Sequence, residues 1–166
     1  PALDGANFVN LPNTATASNG LTKTGNDIAL GGTLTQNTTL ATAGHSLSLT
    51  GTGNLGVGTA APTSTLDVQG SQALAYTTAS ADLTLGSAHH TVRRFGGCST
   101  LTLPAASTCP GRVYVLINSN GTGSSVALAP ANSVYDDVTN ANLNSLAPNE
   151  RISIQSDGSA WLVIGR

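Results

Sequence analysis

Alternation of apolar and polar positions is clearest near the C-terminal end of the chain. Ile152 and Ile154 alternate with polar neighbours, and a second apolar run begins at Trp161. An Asp-Gly dipeptide at 157–158 lies between the two runs and is typical of β-hairpin turns. We therefore predict a β-hairpin over residues 151–164. A hairpin is at best marginally stable alone in water, so we expect it to belong to a larger sheet.

The same alternation recurs throughout residues 71–166. Short apolar runs are separated there by Gly, Pro and Asn clusters, at a spacing typical of β-sandwiches. The pattern predicts strands over 81–85, 91–95, 99–103, 112–118, 125–128, 133–135, 151–155 and 160–164. These strands predict a β-sandwich head domain, jelly-roll-like in topology.

Residues 21–70 carry a different pattern, made of very short apolar pairs. The pairs have strand spacing, with turn residues between them, and lie at 28/30, 47/49, 55/57 and 66/68. One chain buries too little surface with such pairs to offset the cost of ordering its backbone. Several copies wrapped around one axis would bury the Leu and Val side chains together. We therefore predict a fibrous β shaft over residues 21–70 that forms only in an oligomer. Residues 1–20 carry small polar residues and few large apolar ones, which indicates an extended leader or linker.

Composition agrees with an all-β protein and excludes several partners. Only 8% of the residues are charged and the formal net charge is −2, so Thr, Ser and Asn must supply the polar surface. Thr favours strands, while Asn and Gly favour turns. The six basic residues form no patch that would attract nucleic acid. No apolar run is long enough for a membrane-spanning helix, so we expect no membrane insertion.

Residues suited to catalysis are few. Asp136 and Asp137 are the one adjacent pair of carboxylates. Neighbouring residues of a strand point to opposite faces, so the two would not flank one glycosidic bond unless they sit on a loop. The chain is therefore predicted to be no enzyme and to need no cofactor. His45, His89 and His90 lack ligand-like spacing, and no metal site is predicted. Three copies of His45 could meet on a threefold axis, but an exposed or core histidine is the simpler interpretation.

Cys98 and Cys109 flank a predicted strand and turn. A disulfide between them would require residues 104–108 to double back along that strand, so that the two Cα atoms come within about 7 Å. Two buried free thiols are the alternative, and the sequence leaves both open.

Aromatic residues are candidate platforms for sugars. Trp161 shares a strand face with Val163, which predicts a core position with its N–H bonded nearby. Tyr114 and Tyr135 are further candidates, and Tyr135 adjoins the segment 132–149, the longest part of the head without clear strand periodicity. Long loops on a β scaffold often carry binding residues. The predicted glycan site consists of Tyr135, Asp136, Asp137, Asn140 and Asn142.

Several segments resemble phage tail fibres and related bacterial fibre proteins. The segment 21–40, beginning Leu-Thr-Lys-Thr-Gly-Asn, looks like a shaft segment of that family, and 54–70 is similar to its junction between shaft and next module. Segments 101–106, 111–118, 125–128 and 151–161 resemble a module found at fibre tips. The two cysteines depart from the family, as does the lack of a C-terminal chaperone-like segment.

The resemblance implies a homotrimer with an interwoven shaft at 21–70 and a head at 71–166. It also implies a position on the surface of a virion or phage-like particle, attached to an upstream fibre or baseplate component. The expected function is non-enzymatic binding of a cell-surface glycan or another host receptor through the head loops. The alternative is a structural subunit of an extracellular, self-assembling β-rich filament, with residues 1–20 pairing with an open sheet edge of a neighbouring copy.

Overall fold

A computed structural model of the chain describes residues 16–24, 27–119 and 123–166. The fold is all-β as predicted, with 38% of residues in strands and 2% in helix. No helix in these ranges is long and apolar enough to span a membrane. The chain divides into two compact units, one ending at Gly53 and the other running from Asn54 to Arg166. This division precedes the predicted boundary near residue 70, and most of the predicted leader lies outside the described residues.

The first unit contains one small antiparallel sheet. Strand β1 (Leu21–Thr24) pairs with β2 (Asp27–Leu30), and Leu21 lies opposite Leu30. The Asn19 side chain organises the chain that follows, because its Oδ1 accepts the backbone N–H groups of Thr35 and Gln36 at 3.1 Å each. The predicted pair at 47/49 lies in no strand.

The second unit begins with a short parallel pair. Strand β3 (Leu55–Val57) pairs with β4 (Leu66–Val68), as their apolar spacing indicates. Asp67 fixes the connection, since its Oδ2 accepts the backbone N–H of Thr63 at 2.9 Å and the Thr63 hydroxyl at 3.1 Å.

The remaining strands form two larger sheets. They are β5 (Tyr76–Ala79), β6 (Leu83–Thr84), β7 (Thr91–Arg94), β8 (Thr100–Thr102), β9 (Val113–Asn118), β10 (Val126–Ala129), β11 (Val134–Asp136), β12 (Ala141–Asn142), β13 (Ser145–Leu146), β14 (Arg151–Ser156) and β15 (Trp161–Gly165), with a 3-10 turn at Ala106–Thr108. Each predicted strand of the head overlaps one of these strands. Strands β5, β12 and β13 were not predicted.

The chain winds between the two sheets. Strands β5, β7 and β9 are parallel neighbours in a seven-stranded sheet, while β6, β8 and β10 are parallel neighbours in a four-stranded sheet. Successive strands from β5 to β10 therefore alternate between the sheets, as in a short β-solenoid. A jelly roll consists of antiparallel strands, so the predicted jelly-roll-like topology is wrong.

The predicted C-terminal hairpin is confirmed. Strands β14 and β15 pair antiparallel, with Ile154 opposite Val163, and they lie between β9 and β11 in the larger sheet. Asp157 closes the turn, because its Oδ1 accepts the backbone N–H groups of Ser159 and Ala160 at 2.7 Å each. Gly158 takes φ of +94°, a left-handed conformation that a residue with a Cβ adopts only under strain.

One hydrophobic cluster draws side chains from both large sheets. Leu101, Val126 and Leu128 come from the four-stranded sheet, while Leu116 and Ile152 come from the seven-stranded one. Among the described residues, every buried apolar side chain lies between Ala79 and Trp161. The hydrophobic core therefore lies in the part of the chain that follows residues 21–70, the predicted shaft.

Candidate functional site

Four of the five predicted glycan-site residues lie together on the hairpin formed by β11 and β12. Tyr135 is half-buried on β11 and lies opposite the exposed Asn142 on β12. Asn140, in the connecting turn, adopts φ of +52°, and its Oδ1 accepts a hydrogen bond from the Tyr135 hydroxyl. Asp137 follows β11 and is exposed. We call Tyr135, Asp137, Asn140 and Asn142 the hairpin surface.

Asp136 does not belong to this surface, which corrects the sequence prediction. Its side chain points to the other face of β11 and is only 1% exposed. The Arg166 guanidinium contacts its Oδ2 at 2.6 Å, while the Val138 N–H donates to its Oδ1 at 3.0 Å. Arg166 also contacts Glu150 at 2.6 Å. Asp136 therefore joins β11 to the C-terminal strand and has no group left to offer a ligand in solvent.

The pKa of Asp136 reflects this environment. Burial by itself raises the pKa of the carboxyl. Hydrogen bonds from Arg166, Thr139 and the Val138 N–H, together with the Arg166 charge, outweigh burial and lower the pKa below its ordinary value. Asp136 is thus held ionised, whereas a general acid at neutral pH needs a raised pKa.

The segment 132–149 is more regular than predicted. It contains β11, β12 and β13, and β13 pairs with β10 in the smaller sheet. Two asparagines connect the start of this segment to the residues that follow β12: the Asn132 N–H donates to Asn144 Oδ1 at 2.6 Å, and Asn144 Nδ2 donates to Asn132 Oδ1 at 3.2 Å. The segment predicted to carry the glycan site is therefore a braced hairpin rather than a long loop.

Trp161 lies in the core, as predicted, and Tyr114 does too. Trp161 donates its indole N–H to the Pro104 carbonyl at 2.9 Å. Its ring stacks on Tyr114 with the centroids 5.0 Å apart. Tyr114 is fully buried and donates its hydroxyl to the Gly86 carbonyl at 3.1 Å. The interpretation of Tyr114 as a sugar platform is wrong, because neither face of its ring reaches solvent.

A concavity that was not predicted from the sequence forms where three loops of the head meet. Its volume is about 230 Å³. The lining residues are Pro104, Ala105, Ala106, Ser107, Pro130, Asn132, Ser133, Ser159, Ala160 and Trp161. We call this feature the three-loop concavity. No single stretch of sequence signals it, because its wall is assembled from segments far apart along the chain.

Cys98 and Cys109 are separate, buried thiols, which is the second of the two alternatives that the sequence left open. Cys98 donates its Sγ–H to the Thr100 carbonyl at 3.6 Å, and Cys109 donates to the Ala105 carbonyl at 3.6 Å. The chain after β8 makes a 3-10 turn at Ala106–Thr108 instead of returning along the strand. Burial is the main cause that raises the pKa of the Cys98 thiol, which makes it a poor nucleophile.

The histidines make local contacts. His89 Nδ1 accepts the Gly86 N–H at 3.0 Å, His90 Nδ1 lies 3.1 Å from the Thr91 hydroxyl, and His45 is exposed. Within residues 16–24, 27–119 and 123–166, no group of three or more His, Cys, Asp or Glu side chains could hold a metal ion.

Comparison with known proteins identifies no relative. No protein-family model matches the chain, and neither a curated protein nor a solved structure shows significant similarity to it.

Proposed function

We propose that the chain is a non-enzymatic fibre-tip protein of a phage or phage-like particle. It assembles as a homotrimer, joins an upstream fibre or baseplate component, and binds a cell-surface glycan or another host receptor through its head. Its place is on the virion surface or outside the cell, without contact to nucleic acid and without membrane insertion. The proposal combines the family resemblance of the sequence with one structural observation.

That observation is the exposure of apolar side chains before the head. From residue 21 to residue 76, Leu, Ile, Val and Tyr side chains lie largely in solvent. The exposed large apolar residues of this region are Leu21, Ile28, Leu30, Leu34, Leu40, Leu47, Leu49, Leu55, Val57, Leu66, Leu74 and Tyr76. Burial of apolar surface drives most protein association, so these exposed side chains support an assembly that covers them.

The sheets of this region are also too small to stand alone. The β1–β2 sheet has two strands of four residues each, and the β3–β4 sheet has two strands of three. Two-stranded sheets are marginal in water without further strands or a packed face. Two more copies of the chain would supply further strands and a packed face. An interwoven shaft would place the Leu and Val side chains against the same residues of the other copies.

The hairpin surface is the proposed receptor site. It combines an aromatic ring with one carboxylate and two amides, groups that can pack against a sugar ring and bond its hydroxyls. The hydrogen bond from Tyr135 to Asn140 holds two of these groups in place before binding. A trimer presents three copies, so weak single-site binding still gives firm attachment to a repetitive surface.

A glycan array with the assembled protein tests this function. We expect wild type to bind a restricted set of glycans, and Tyr135→Ala and Asn142→Ala to lose most of that binding. Phe95→Ala is a matched control, since it removes another half-exposed aromatic ring of the head, away from the hairpin. Binding that both hairpin variants retain would place the receptor site elsewhere.

The filament alternative rests on a separate observation. Strands β5 and β6 lie at the edges of the two large sheets, and each has only one neighbour among the described residues. An open edge can accept a strand from another copy. If such pairing continued from copy to copy, the protein would form filaments instead of discrete tips. A glycan array without any binding, together with continuous fibres, would favour this alternative.

A further inference from the structure

We infer that the outer face of the parallel strands β5, β7 and β9 is a contact surface between copies of the chain in the head. This contact rests on the proposed trimer and extends it, because the proposed shaft involves no contact between the heads. We call this surface the parallel face. Its six side chains form two rows that cross all three strands: Tyr76, Thr91 and Val115 in one row, and Thr78, Arg93 and Ile117 in the other.

The parallel face points away from the hydrophobic core. Paired residues of neighbouring strands share one face of a sheet, and successive residues of a strand point to opposite faces. The residues that alternate with the six side chains include Val92 and Leu116, which are fully buried in the core. The six side chains are half-buried or exposed. They therefore form an outer surface that the single chain leaves uncovered.

Strand β9 carries apolar side chains on both of its faces. Residues 113–117 read Val-Tyr-Val-Leu-Ile, without the polar alternation of β14. A strand with one face in water usually alternates, whereas a continuous apolar run is typical of a strand that is covered on both faces. The core covers one face of β9, while Val115 and Ile117 on the other face are only half-buried. This pattern indicates a second covering layer that one chain does not supply.

The chemistry of the parallel face fits a protein partner. Arg93 is the one charged residue among the six, and its Nε donates to the Ser119 hydroxyl at 3.0 Å. Tyr76 contributes an aromatic side chain that is 61% exposed. The cores of protein–protein interfaces are depleted in most charged residues but enriched in arginine and aromatic residues. The parallel face has this composition.

Its size identifies the partner as another copy of the chain. With strands about 4.8 Å apart and a rise of about 3.3 Å per residue, three strands of this length cover on the order of 300 Å². A stable interface between separate proteins buries about 800 Å² on each partner. The parallel face is therefore too small to hold a separate protein. It suits a chain that a second contact already keeps nearby, and the proposed shaft provides that contact.

The parallel face also adjoins the exposed apolar residues that precede the head. Leu74 and Tyr76 are 50% and 61% exposed, and Tyr76 is the first residue of β5. Copies that cover the exposed apolar side chains up to residue 76 therefore meet the parallel face at β5. Strands β11 and β12 lie at the opposite end of the same sheet. A contact through the parallel face thus leaves the hairpin surface free for a receptor.

Thiol labelling of the full chain tests this contact without disrupting it. Thr78→Cys places a thiol at an exposed position of the parallel face. Val138→Cys is the control, because Val138 is 91% exposed and follows β11 at the other end of the sheet. In the trimer, we expect Thr78→Cys to react with a maleimide roughly tenfold more slowly than Val138→Cys, since burial shields a thiol. Dilution to monomers should remove this difference.

Two matched Val→Glu substitutions test the contact by disrupting it. Val115→Glu places a carboxylate on the parallel face of each copy. It should lower the trimerisation constant by roughly a thousandfold or more, because a buried charge without a partner is costly. It should also restore fast labelling when combined with Thr78→Cys. Val138→Glu makes the same chemical change outside the face and should alter neither trimerisation nor labelling.

Each outcome supports or overturns the proposed contact. Slow labelling of Thr78→Cys that both dilution and Val115→Glu abolish supports it. Fast labelling in a protein that sediments as a trimer overturns it, although the trimer itself stands. Slow labelling that persists in monomers also overturns it, since the shielding then comes from within one chain. A protein that is monomeric at every concentration overturns the trimer and this contact together. If Val115→Glu does not fold, the labelling of Thr78→Cys at high and low concentration decides alone.

Discussion

Leu30→Ser should separate the three chains of the proposed shaft. Leu30 ends β2, and 88% of its surface is exposed in a single chain. Because the isolated chain leaves this side chain in water, the substitution should hardly change the stability of a monomer. In a trimer with a shared shaft core, all three copies of this side chain would be buried, so the substitution would weaken trimerisation.

The size of the effect follows from the buried area. Full burial of a leucine side chain contributes about 1.5–3 kcal/mol, so three copies contribute roughly 5–9 kcal/mol per trimer. A tenfold change in an equilibrium constant corresponds to about 1.4 kcal/mol. Leu30→Ser should therefore lower the trimerisation constant by roughly three to six orders of magnitude.

Sedimentation velocity at micromolar protein concentrations measures this change. Val138→Ser is the matched control, since Val138 is 91% exposed but belongs to the head. We expect wild type and Val138→Ser to sediment as trimers, and Leu30→Ser to shift toward monomer as the protein is diluted. An undisturbed trimer in Leu30→Ser would refute the shaft-core argument, and so would equal dissociation of both variants.

Three further predictions concern the head. The pKa of Asp136 is lower in the folded protein than the ordinary carboxyl value of 3.8. The ionised carboxylate therefore stabilises the fold at pH values above 3.8, and this stabilisation is lost as the pH falls through the folded-state pKa. Asp136→Asn should therefore unfold at lower urea concentration than wild type at neutral pH, with the difference shrinking in acid; equal urea midpoints at neutral pH would contradict this. Trp161→Phe leaves the Pro104 carbonyl without its donor and should cost about 1–3 kcal/mol in urea unfolding, so an unchanged midpoint would show that this hydrogen bond adds nothing. Cys98 and Cys109 should be unreactive toward a thiol reagent in the native protein and should both react after denaturation without reductant, whereas unreactive denatured protein would indicate a disulfide.

Periodicity in the sequence predicted where strands lie better than how they pair. Alternation in 151–155 identified β14 because one face of that strand is buried, and the continuous apolar run after the Asp-Gly turn identified β15. The same alternation does not say which strand lies beside which, so the parallel windings of β5 to β10 were missed. Strands β12 and β13 have two residues each, too few to show any period.

In the candidate site, too, contacts between residues close in sequence were predicted and contacts between distant residues were not. Tyr135, Asn140 and Asn142 were grouped correctly because they are close in sequence and join one turn. Asp136 was misplaced because its partner, Arg166, comes much later in the chain, and nothing near Asp136 in the sequence announces a buried ion pair. The three-loop concavity was missed for a similar reason, since long-range backbone and indole hydrogen bonds assemble it.

Electron microscopy of the purified protein distinguishes a trimeric fibre tip from a monomer and from a filament. We expect discrete spikes of uniform length, each with a thin shaft, a wider head and threefold symmetry in averaged end views. Isolated globular particles of single-chain size would contradict trimeric assembly. Continuous fibres would contradict the fibre-tip function and favour a filament subunit.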